Sequence, residues 1–349
     1  MTTQSFDVVG IGNAIVDVIA AADDAFLARH GMAKGSMMLI DEPRAEALYA
    51  DMGPAVESSG GSAANTIAGI ASLGGRTAYI GKVRDDLLGR AFRHDITAAG
   101  ATFRTPPASD GPATARCLIF VTPDAQRTMN TFLGACVSLG PADIDAALVE
   151  AAQVTYLEGY LYDEPQAQEA FHHAAALAHA AGRKVSLSLS DAFCVKRHRR
   201  AFLNLVHRHV DVLFANEAEI AALFETDRLE AAVAELRRCT DIAAVTLGAS
   251  GSLVVAAEEV IQIPAAPIAN VVDTTGAGDL YAAGFLHGLT TGAPLAECGR
   301  LGSFAAAEII SHVGARPQTP LKDFVARAAR EPDTFFAEFT YAEERIELR

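Results

Sequence analysis

The sequence predicts an α/β protein with a mainly parallel central sheet flanked by helices and a small β-sheet lid. Short apolar segments alternate with longer Ala- and Leu-rich segments, which is the pattern of strands connected by helices. Two stretches, residues 18–40 and 101–133, carry little helical periodicity. We therefore assign residues 1–17, 41–100 and 134–349 to a large domain and the two exceptional stretches to the lid.

The elements of the large domain follow one another with glycines closing several helices. The predicted strands are Phe6–Ile11, Ala78–Ile80, Val154–Leu157, Val185–Leu189, Val210–Ala215, Ala243–Leu247 and Ser252–Ala256. The predicted helices are Ala63–Leu73, Gln166–Ala181, Glu217–Phe224, Gly278–Leu289 and Leu301–Ser311. Strands that alternate with helices indicate a largely parallel sheet covered on both faces.

The lid is predicted from three short strands in its second stretch. Thr102–Thr105, Ala115–Val121 and Arg127–Leu133 are separated by proline- and glycine-containing turns. This spacing is typical of a β-meander. A small sheet placed over an edge of an α/β sheet often serves as a lid.

The composition excludes several classes of protein. The 349 residues include 28 basic and 43 acidic side chains, a formal charge of −15, whereas binders of nucleic acids or anionic membranes need a basic face. Apolar runs stop well short of the ~18 residues that suggest a membrane span. The N-terminus carries no basic segment before an apolar core, and the five cysteines form no CxxC pair. We expect a cytoplasmic protein with reduced thiols and neither disulfides nor a zinc site.

The strongest local motif is Asp273-Thr274-Thr275-Gly276-Ala277-Gly278-Asp279, which precedes an apolar helix. Its small residues allow several backbone N–H groups to point together at a helix N-terminus, where the dipole favours an anion. Asp279 falls in the first turn and is placed to accept a proton from a hydroxyl beside a bound phosphoryl group. For Asp279 alone, an ordinary first-turn acid is the simpler explanation; the heptapeptide as a whole is more specific.

Three further segments place polar side chains at strand ends or helix starts. Gly60 and Gly61 precede a helix that contains Asn65, Asn13 and Asp17 follow the first strand, and Asn216 and Glu219 follow the strand Val210–Ala215. Ligands of open α/β sheets bind beyond the carboxyl ends of strands. Asp17 is placed to accept hydrogen bonds from a diol, and Asn216 with Glu219 to hold the water shell of Mg²⁺. A capped helix start explains the last pair equally well.

Two nucleotide-binding fingerprints fail. The segment after the first strand has Ile15 where a dinucleotide motif needs its third glycine. Gly81-Lys82 lacks the preceding glycine of a P-loop, because Arg76 stands there, and Val83 replaces its Ser or Thr.

Taken together, the motifs resemble the ribokinase-like (PfkB) family of carbohydrate and nucleoside kinases. Residues 60–92, GGSAANTIAGIASLGGRTAYIGKVRDDLLGRAF, are similar to its first signature, and residues 271–286, VVDTTGAGDLYAAGFL, are similar to its second. The resemblance extends from about residue 6 to residue 320. It implies a β lid and phosphorylation of a primary hydroxyl with ATP and Mg²⁺.

The resemblance also implies roles for individual residues. Asp279 is similar to the catalytic base, and the anion hole corresponds to Gly276, Ala277 and Gly278. ATP and its Mg²⁺ correspond to Asn216, Glu219, Thr246, Gly248 and Gly251, with Arg127 as a lid arginine. In several members, backbone near the positions of Asp273 and Thr275 also binds a monovalent cation such as K⁺.

Within the family, the residues around the acceptor favour the adenosine-kinase-like branch. The opening Asn13–Asp17, the lid segment with Arg127 and Met129, and Tyr160, placed to stack on a purine, resemble that branch. Thr275 is the departure, since bacterial sugar kinases commonly carry Thr there.

The leading hypothesis is therefore transfer of phosphate from ATP to the 5′-hydroxyl of a ribonucleoside, most simply adenosine to AMP. A PfkB kinase of a free sugar such as ribose or fructose, and a non-catalytic nucleotide-binding regulator, are the alternatives. The expected partners are these small molecules, without nucleic acid or membrane, and the protein is expected to be a monomer or a homodimer.

Overall fold

The computed structural model describes residues 5–124, 126–268 and 270–330. Its strands are, in chain order, β1 (Phe6–Ile11), β2 (Ile15–Ala21), β3 (Met37–Leu39), β4 (Ala55–Gly60), β5 (Thr77–Ile80), β6 (Thr102–Phe103), β7 (Ala115–Val121), β8 (Arg127–Phe132), β9 (Ala152–Glu158), β10 (Lys184–Ser188), β11 (Val212–Asn216), β12 (Ile242–Thr246), β13 (Ser252–Ala256) and β14 (Val260–Ile263). Its α-helices are α1 (Asp24–Arg29), α2 (Glu42–Asp51), α3 (Ser62–Ser72), α4 (Leu87–Ala98), α5 (Ala146–Ala151), α6 (Pro165–Ala180), α7 (Ala192–His209), α8 (Glu217–Phe224), α9 (Leu229–Cys239), α10 (Ala277–Thr290), α11 (Leu295–Ile310) and α12 (Leu321–Arg330).

The strands of the described residues form two sheets. The large sheet has the order β14-β13-β12-β11-β10-β9-β1-β5-β6 and is parallel except at β13 and β14. The small sheet has the order β3-β8-β7-β2-β4. The predicted α/β architecture with a mainly parallel sheet and a second small sheet is confirmed.

The large sheet carries an apolar core on each face. In β11, Val212 and Phe214 point into one cluster and Leu213 and Ala215 into the other, because successive side chains of a strand alternate between faces. Helices α3, α10 and α11 cover the first face, and α6 and α7 cover the second. Packed helices therefore exclude water from both faces of the large sheet, and a ligand can bind only at its edges.

One strand predicted for the lid lies in the other sheet, and strands of the small sheet were not predicted, β4 among them. The segment Thr102–Thr105 was predicted in the meander, but its strand, Thr102–Phe103, pairs with β5 at the edge of the large sheet, where Phe103 packs against Tyr79 and Phe92. The polar strand β4 was not predicted, because its side chains show no apolar alternation. It joins the small sheet through its backbone, from Ile15 opposite Gly60 to Ala20 opposite Ala55.

The small sheet thus draws on segments that the predicted boundaries give to the large domain, namely the start of β2 and all of β4. The helix α1, capped by Asp23, also lies within residues 18–40, where little helical periodicity was expected. The division into two domains stays a prediction, and its large-domain segment 134–349 ends in residues 331–349, outside the described part of the chain.

Within the described residues, no helix is long and apolar enough to cross a membrane. All five cysteines are buried and free in the structure. They pack as small apolar side chains, and no redox or metal-binding role follows from their placement.

Candidate functional site

The carboxyl ends of neighbouring parallel strands bring the first group of polar side chains together. Glu158 ends β9, and Asn13 follows β1, which pairs with it. Asn13 Nδ2 donates to Glu158 Oε1 at 2.7 Å, and the backbone N–H of Ala63 donates to Glu158 Oε2 at 2.8 Å. Burial raises the pKa of Glu158 to about 7. This carboxylate therefore ties two strand ends to the start of α3.

Two glycine turns lead into helices that face each other. Gly61 precedes α3 with φ +93°, and a Cβ there would lie 2.2 Å from the carbonyl oxygen of Asn13. Gly276 precedes α10 with φ +79°. Only glycine adopts such backbone without strain at close approach. First-turn amides at both helix starts have no intrahelical acceptors; in α3 the N–H of Ala63 is bound by Glu158, whereas the amides after Gly276 can bind an anion.

Asp279 lies where the two helix starts meet. Its Oδ1 accepts from Ser62 Oγ at 2.6 Å, and its Oδ2 accepts from Asn65 Nδ2 at 2.9 Å. Thr66 Oγ1 donates to the carbonyl oxygen of Asp279 at 3.1 Å. The helix α3 therefore holds both carboxylate oxygens of a residue more than two hundred positions away along the chain.

The surroundings of Asp279 act on its acidity in opposite directions. Burial raises its pKa, whereas the hydrogen bonds from Ser62 and Asn65 and the charge of Arg316 lower it. A carboxylate whose orientation is fixed and whose pKa is raised is suited to accept a proton from a hydroxyl.

The predicted anion hole adjoins this carboxylate. Ala277 N donates to the carbonyl oxygen of Thr274 at 3.2 Å within the turn. Gly278 and Asp279 occupy the second and third positions of α10, where helix geometry provides no acceptor for their N–H groups. These two amides and the helix dipole favour a negatively charged group here.

Asp17 belongs to the same cleft. It lies on β2 beside Gly60, where a Cβ would come within 2.3 Å of Asp17 Oδ2. Burial raises its pKa to about 6, against the opposing charges of Arg316 and Arg127, and the charge of Asp279 raises it further. The two predicted carboxylates therefore influence each other across one site.

The small sheet reaches the anion loop through Arg127 of β8. Its Nη2 lies 2.8 Å from Asp273 Oδ2, and its Nη1 donates to Thr275 Oγ1 at 3.0 Å. Gly314 N also donates to Asp273 Oδ2, at 3.0 Å. The lid arginine thus lies at the predicted phosphate site, paired with a carboxylate of that loop.

Asn216 and Glu219 form a reciprocal cap at the start of α8. Asn216 Oδ1 accepts from the backbone N–H of Glu219 at 2.9 Å, while the Glu219 carboxylate accepts from Asn216 N and Nδ2 at 3.0 and 2.6 Å. Burial raises the pKa of Glu219 to about 7. The capping interpretation is therefore correct for this pair, and a role towards a metal stays a prediction.

The remaining predicted residues lie around this edge without a direct bond to Asp279. Thr246 pairs with Asn216 at the ends of adjacent strands, and Gly248 and Gly251 form the turn after it with φ +57° and +87°. Tyr160 follows β9, and its backbone N–H donates to Ser190 Oγ at 3.1 Å. Met129 lies on β8 beside Met37 of β3.

Sequence reasoning missed three residues of the site: Ser62, Glu158 and Arg316. Ser62 follows the glycine pair directly, so its position in the first turn was a usable signal. Glu158 ends a strand in which every residue but Gln153 is buried, which also marks a buried acid at a sheet edge. Arg316 lies in a loop without periodicity, and nothing in its neighbours indicates its contacts.

A cavity of about 350 Å³ opens elsewhere, at the amino ends of β11 and β12, and its lining includes His179, Arg208 and Arg237. It contains neither a glycine turn nor a buried carboxylate. Size alone does not identify a site, and we place the functional site where glycine turns and buried acids converge.

Comparisons with known proteins show which family and which solved structures the chain is similar to. A family model described as pfkB family carbohydrate kinase matches residues 43–322. The structure of adenosine kinase from Sinorhizobium meliloti is 54% identical with a TM-score of 0.87, covering 93% of this chain and 100% of that one. A probable sugar kinase from Rhizobium etli CFN 42 is 49% identical with a TM-score of 0.88, covering 93% and 99%. Adenosine kinase 1 of Arabidopsis thaliana is 27% identical, covering 92% of this chain and 99% of that one.

Proposed function

The chain belongs to the pfkB family of carbohydrate kinases, and from that premise we propose that it transfers the γ-phosphoryl group of ATP to the 5′-hydroxyl of adenosine. As a member of this family it is a phosphotransferase with an alcohol group as acceptor, and it uses ATP with a divalent metal. The similarity to the Sinorhizobium adenosine kinase supports a nucleoside as the acceptor.

The observation that carries the proposal is the double anchoring of Asp279 by Ser62 and Asn65. In the proposed reaction, Asp17 accepts hydrogen bonds from the ribose diol and so directs the 5′-hydroxyl towards Asp279. Asp279 removes the hydroxyl proton as the new O–P bond forms and the bond to the β-phosphate oxygen breaks, which releases ADP. The amides at the start of α10 stabilise the charge on the transferring group.

Arg127 and Tyr160 complete the proposed acceptor and phosphate contacts. Arg127 would exchange part of its pairing with Asp273 for a phosphate oxygen, since guanidinium binds both groups in the same planar manner. Tyr160 would stack on the purine, and Met129 would add an apolar lid contact. Asn13 is held by Glu158, so its amide is fixed at the end of β1 beside the proposed sugar position.

The residues fit Mg²⁺ carried on ATP better than a protein-bound metal. The described residues contain no cluster of three or more His, Cys, Asp or Glu side chains able to hold a metal. Glu219 is a buried carboxylate that accepts hydrogen bonds from Asn216 of its own cap, and carboxylates commonly bind Mg²⁺ through its water shell. Mg²⁺ would neutralise charge on the phosphates. Glu219 and Asn216 would orient its waters, with Thr246, Gly248 and Gly251 lining the ATP side.

The binding of a monovalent cation near Asp273 and the state of the protein as a monomer or a homodimer stay predictions.

A free-sugar kinase is the second candidate, favoured by the 49% identity to the probable sugar kinase from Rhizobium etli. A free sugar would use the same Asp17 and Asp279, because it also carries a diol and a primary hydroxyl.

The test is transfer of label from γ-labelled ATP to adenosine, inosine, guanosine, ribose and fructose, measured as kcat/KM for each. We expect adenosine to be the best acceptor. A preference for ribose or fructose would support the second candidate. ATP binding without transfer to any acceptor would contradict both and favour a regulatory protein.

A further inference from the structure

The loop after α11 brings one arginine against the first glycine turn. Arg316 Nε donates to the carbonyl oxygen of Ser59 at 3.1 Å, and its Nη2 donates to Ser59 Oγ at 3.1 Å. Its Nη1 donates to the carbonyl oxygen of Ala64 at 2.6 Å. Ser59 and Ala64 lie on opposite sides of Gly60 and Gly61, so the guanidinium spans the turn and fixes both of its ends.

This turn is linked to both proposed acceptor carboxylates. Gly60 packs so closely on Asp17 that a Cβ would lie 2.3 Å from Oδ2. On its other side, the turn leads into Ser62 and Asn65, which hold Asp279. A shift of the turn would therefore displace both carboxylates together.

The charge of Arg316 lies among acidic groups of this cleft. The titratable groups that face it are Asp17, Tyr79, Asp279 and Asp95. Arg127 is the other cation that acts on Asp17. Burial lowers the pKa of Arg316 to about 10, so the side chain is still charged at neutral pH. Two carboxylates in one cleft repel each other, and a cation whose charge acts on both, as that of Arg316 does, offsets that repulsion.

We propose that Arg316 is a positioning residue of the acceptor site: it holds the Gly60–Gly61 turn in place, and its charge balances Asp17 and Asp279. The inference rests on the proposed function, since those carboxylates are assigned to the acceptor there. Arginine suits this task because its planar fork directs several N–H groups at fixed acceptors, which the point charge of lysine does not do.

The test compares Arg316→Met, which removes fork and charge, with Arg316→Lys, which keeps the charge. Arg93→Met is the matched control, because Arg93 also donates to two carbonyl oxygens, of Phe103 and Thr105, but at the outer edge of the large sheet. For each variant, kcat and the KM of adenosine and of ATP are measured from pH 5.5 to 9.

We expect Arg316→Met to raise the KM of adenosine by about 10-fold or more while the KM of ATP changes less than about twofold, the size of one lost charge-assisted contact. The acid limb of kcat/KM should move to higher pH in Arg316→Met and stay in place in Arg316→Lys. A merely structural role would instead raise the KM of adenosine and of ATP alike in Arg316→Met, lower the melting temperature as in Arg93→Met, and leave the pH profile unchanged. That result would show that the inference is wrong.

Hydrogen exchange separates this inference from the proposed function, because it needs no turnover. Backbone amides of residues 59–66 should exchange faster in Arg316→Met than in wild type, and at the wild-type rate in Arg93→Met. Unchanged exchange in Arg316→Met overturns the role of Arg316. A wild-type protein that phosphorylates no acceptor overturns the proposed function instead, while the exchange data still decide whether Arg316 holds the turn.

Discussion

The starts of α8 and α10 present the same local pattern with different consequences. Each has an acid at the third helical position, Glu219 in α8 and Asp279 in α10. Glu219 is bound by its own cap residue, Asn216, whereas α10 begins after Gly276, which has no side chain to cap it. Asp279 is instead held by Ser62 and Asn65 of another helix.

The role of an acidic residue in the first turn of a helix therefore depends on which groups bind its carboxylate oxygens. A carboxylate held by its own N-cap stabilises the helix that carries it. A carboxylate held from another helix, beside exposed amides, is oriented for a ligand. We therefore propose Asp279 as the proton acceptor and give Glu219 at most an indirect role towards the phosphates.

The largest expected effect comes from Asp279→Asn. The amide keeps the size of the side chain but cannot accept the hydroxyl proton, so kcat should fall by about 10²–10⁴-fold while substrate binding stays close to wild type. Steady-state kinetics with calorimetric binding of adenosine checks this. A variant that retains more than about a tenth of wild-type kcat, a loss of under ~1.4 kcal/mol, would remove Asp279 from the proton transfer.

The next effect is a rise in acceptor KM in Asp17→Ala. Loss of a charge-assisted contact with the diol is worth roughly 1.5–3 kcal/mol, so the KM should rise by at least about 10-fold for nucleosides and sugars alike. An unchanged KM for the best acceptor would place the diol elsewhere.

The same residue predicts a pH dependence. Because the pKa of Asp17 is raised to about 6, the carboxylate gains a proton as the pH falls through that value and can no longer accept both diol hydrogens. Wild-type kcat/KM should therefore fall below about pH 6, and Asp17→Ala should lose this part of the acid limb. If Asp17→Ala keeps the same fall of kcat/KM at acid pH, that fall reports the titration of another group.

Tyr160→Ala distinguishes a nucleoside from a sugar. If the ring stacks on a purine, adenosine binding should weaken by about 1–3 kcal/mol, whereas ribose or fructose has no base to lose. The control is a thermal melt, since Tyr160 is partly buried after β9. If binding of all acceptors weakens equally and the melting temperature falls, Tyr160 is a core residue and the stacking hypothesis is wrong.

The smallest expected effect is that of Glu219→Gln, which tests directly whether the acid of α8 acts only as a helix cap. Glutamine can still complete the cap, so melting temperature should change little. The Mg²⁺ concentration for half-maximal rate should rise by about 10-fold if the charge orients metal-bound water, the usual effect of removing an outer partner of a metal. An unchanged Mg²⁺ requirement would leave Glu219 as a cap alone.

Much of the fold followed from sequence because the large sheet is buried on both faces. Phe6–Ile11, Ser252–Ala256 and Glu217–Phe224 were predicted with the bounds that the structure has. The polar strand β4 was missed, because its place is decided by backbone pairing with β2, which leaves no apolar pattern. Apolar periodicity in a sequence reflects which side chains are buried. It therefore does not predict a strand that is held in place by backbone pairing alone.

The site was predicted as separate motifs but not as an arrangement. Both glycine turns were identified, yet the bonds from Ser62 and Asn65 to Asp279 span 217 and 214 residues of chain. Contacts at that separation are set by how α3 packs on α10. The contacts of Arg316 could not be predicted for the same reason, because it lies in a loop that approaches Ser59 only in the folded chain.

A crystal structure with adenosine and a non-hydrolysable ATP analogue tests the central claim most directly. We expect the 5′-oxygen within about 2.6–3.2 Å of the Asp279 carboxylate, the ribose diol on Asp17, and the terminal phosphate facing the amides at the start of α10. A 5′-oxygen bound elsewhere, with Asp279 still held only by Ser62 and Asn65, would contradict it.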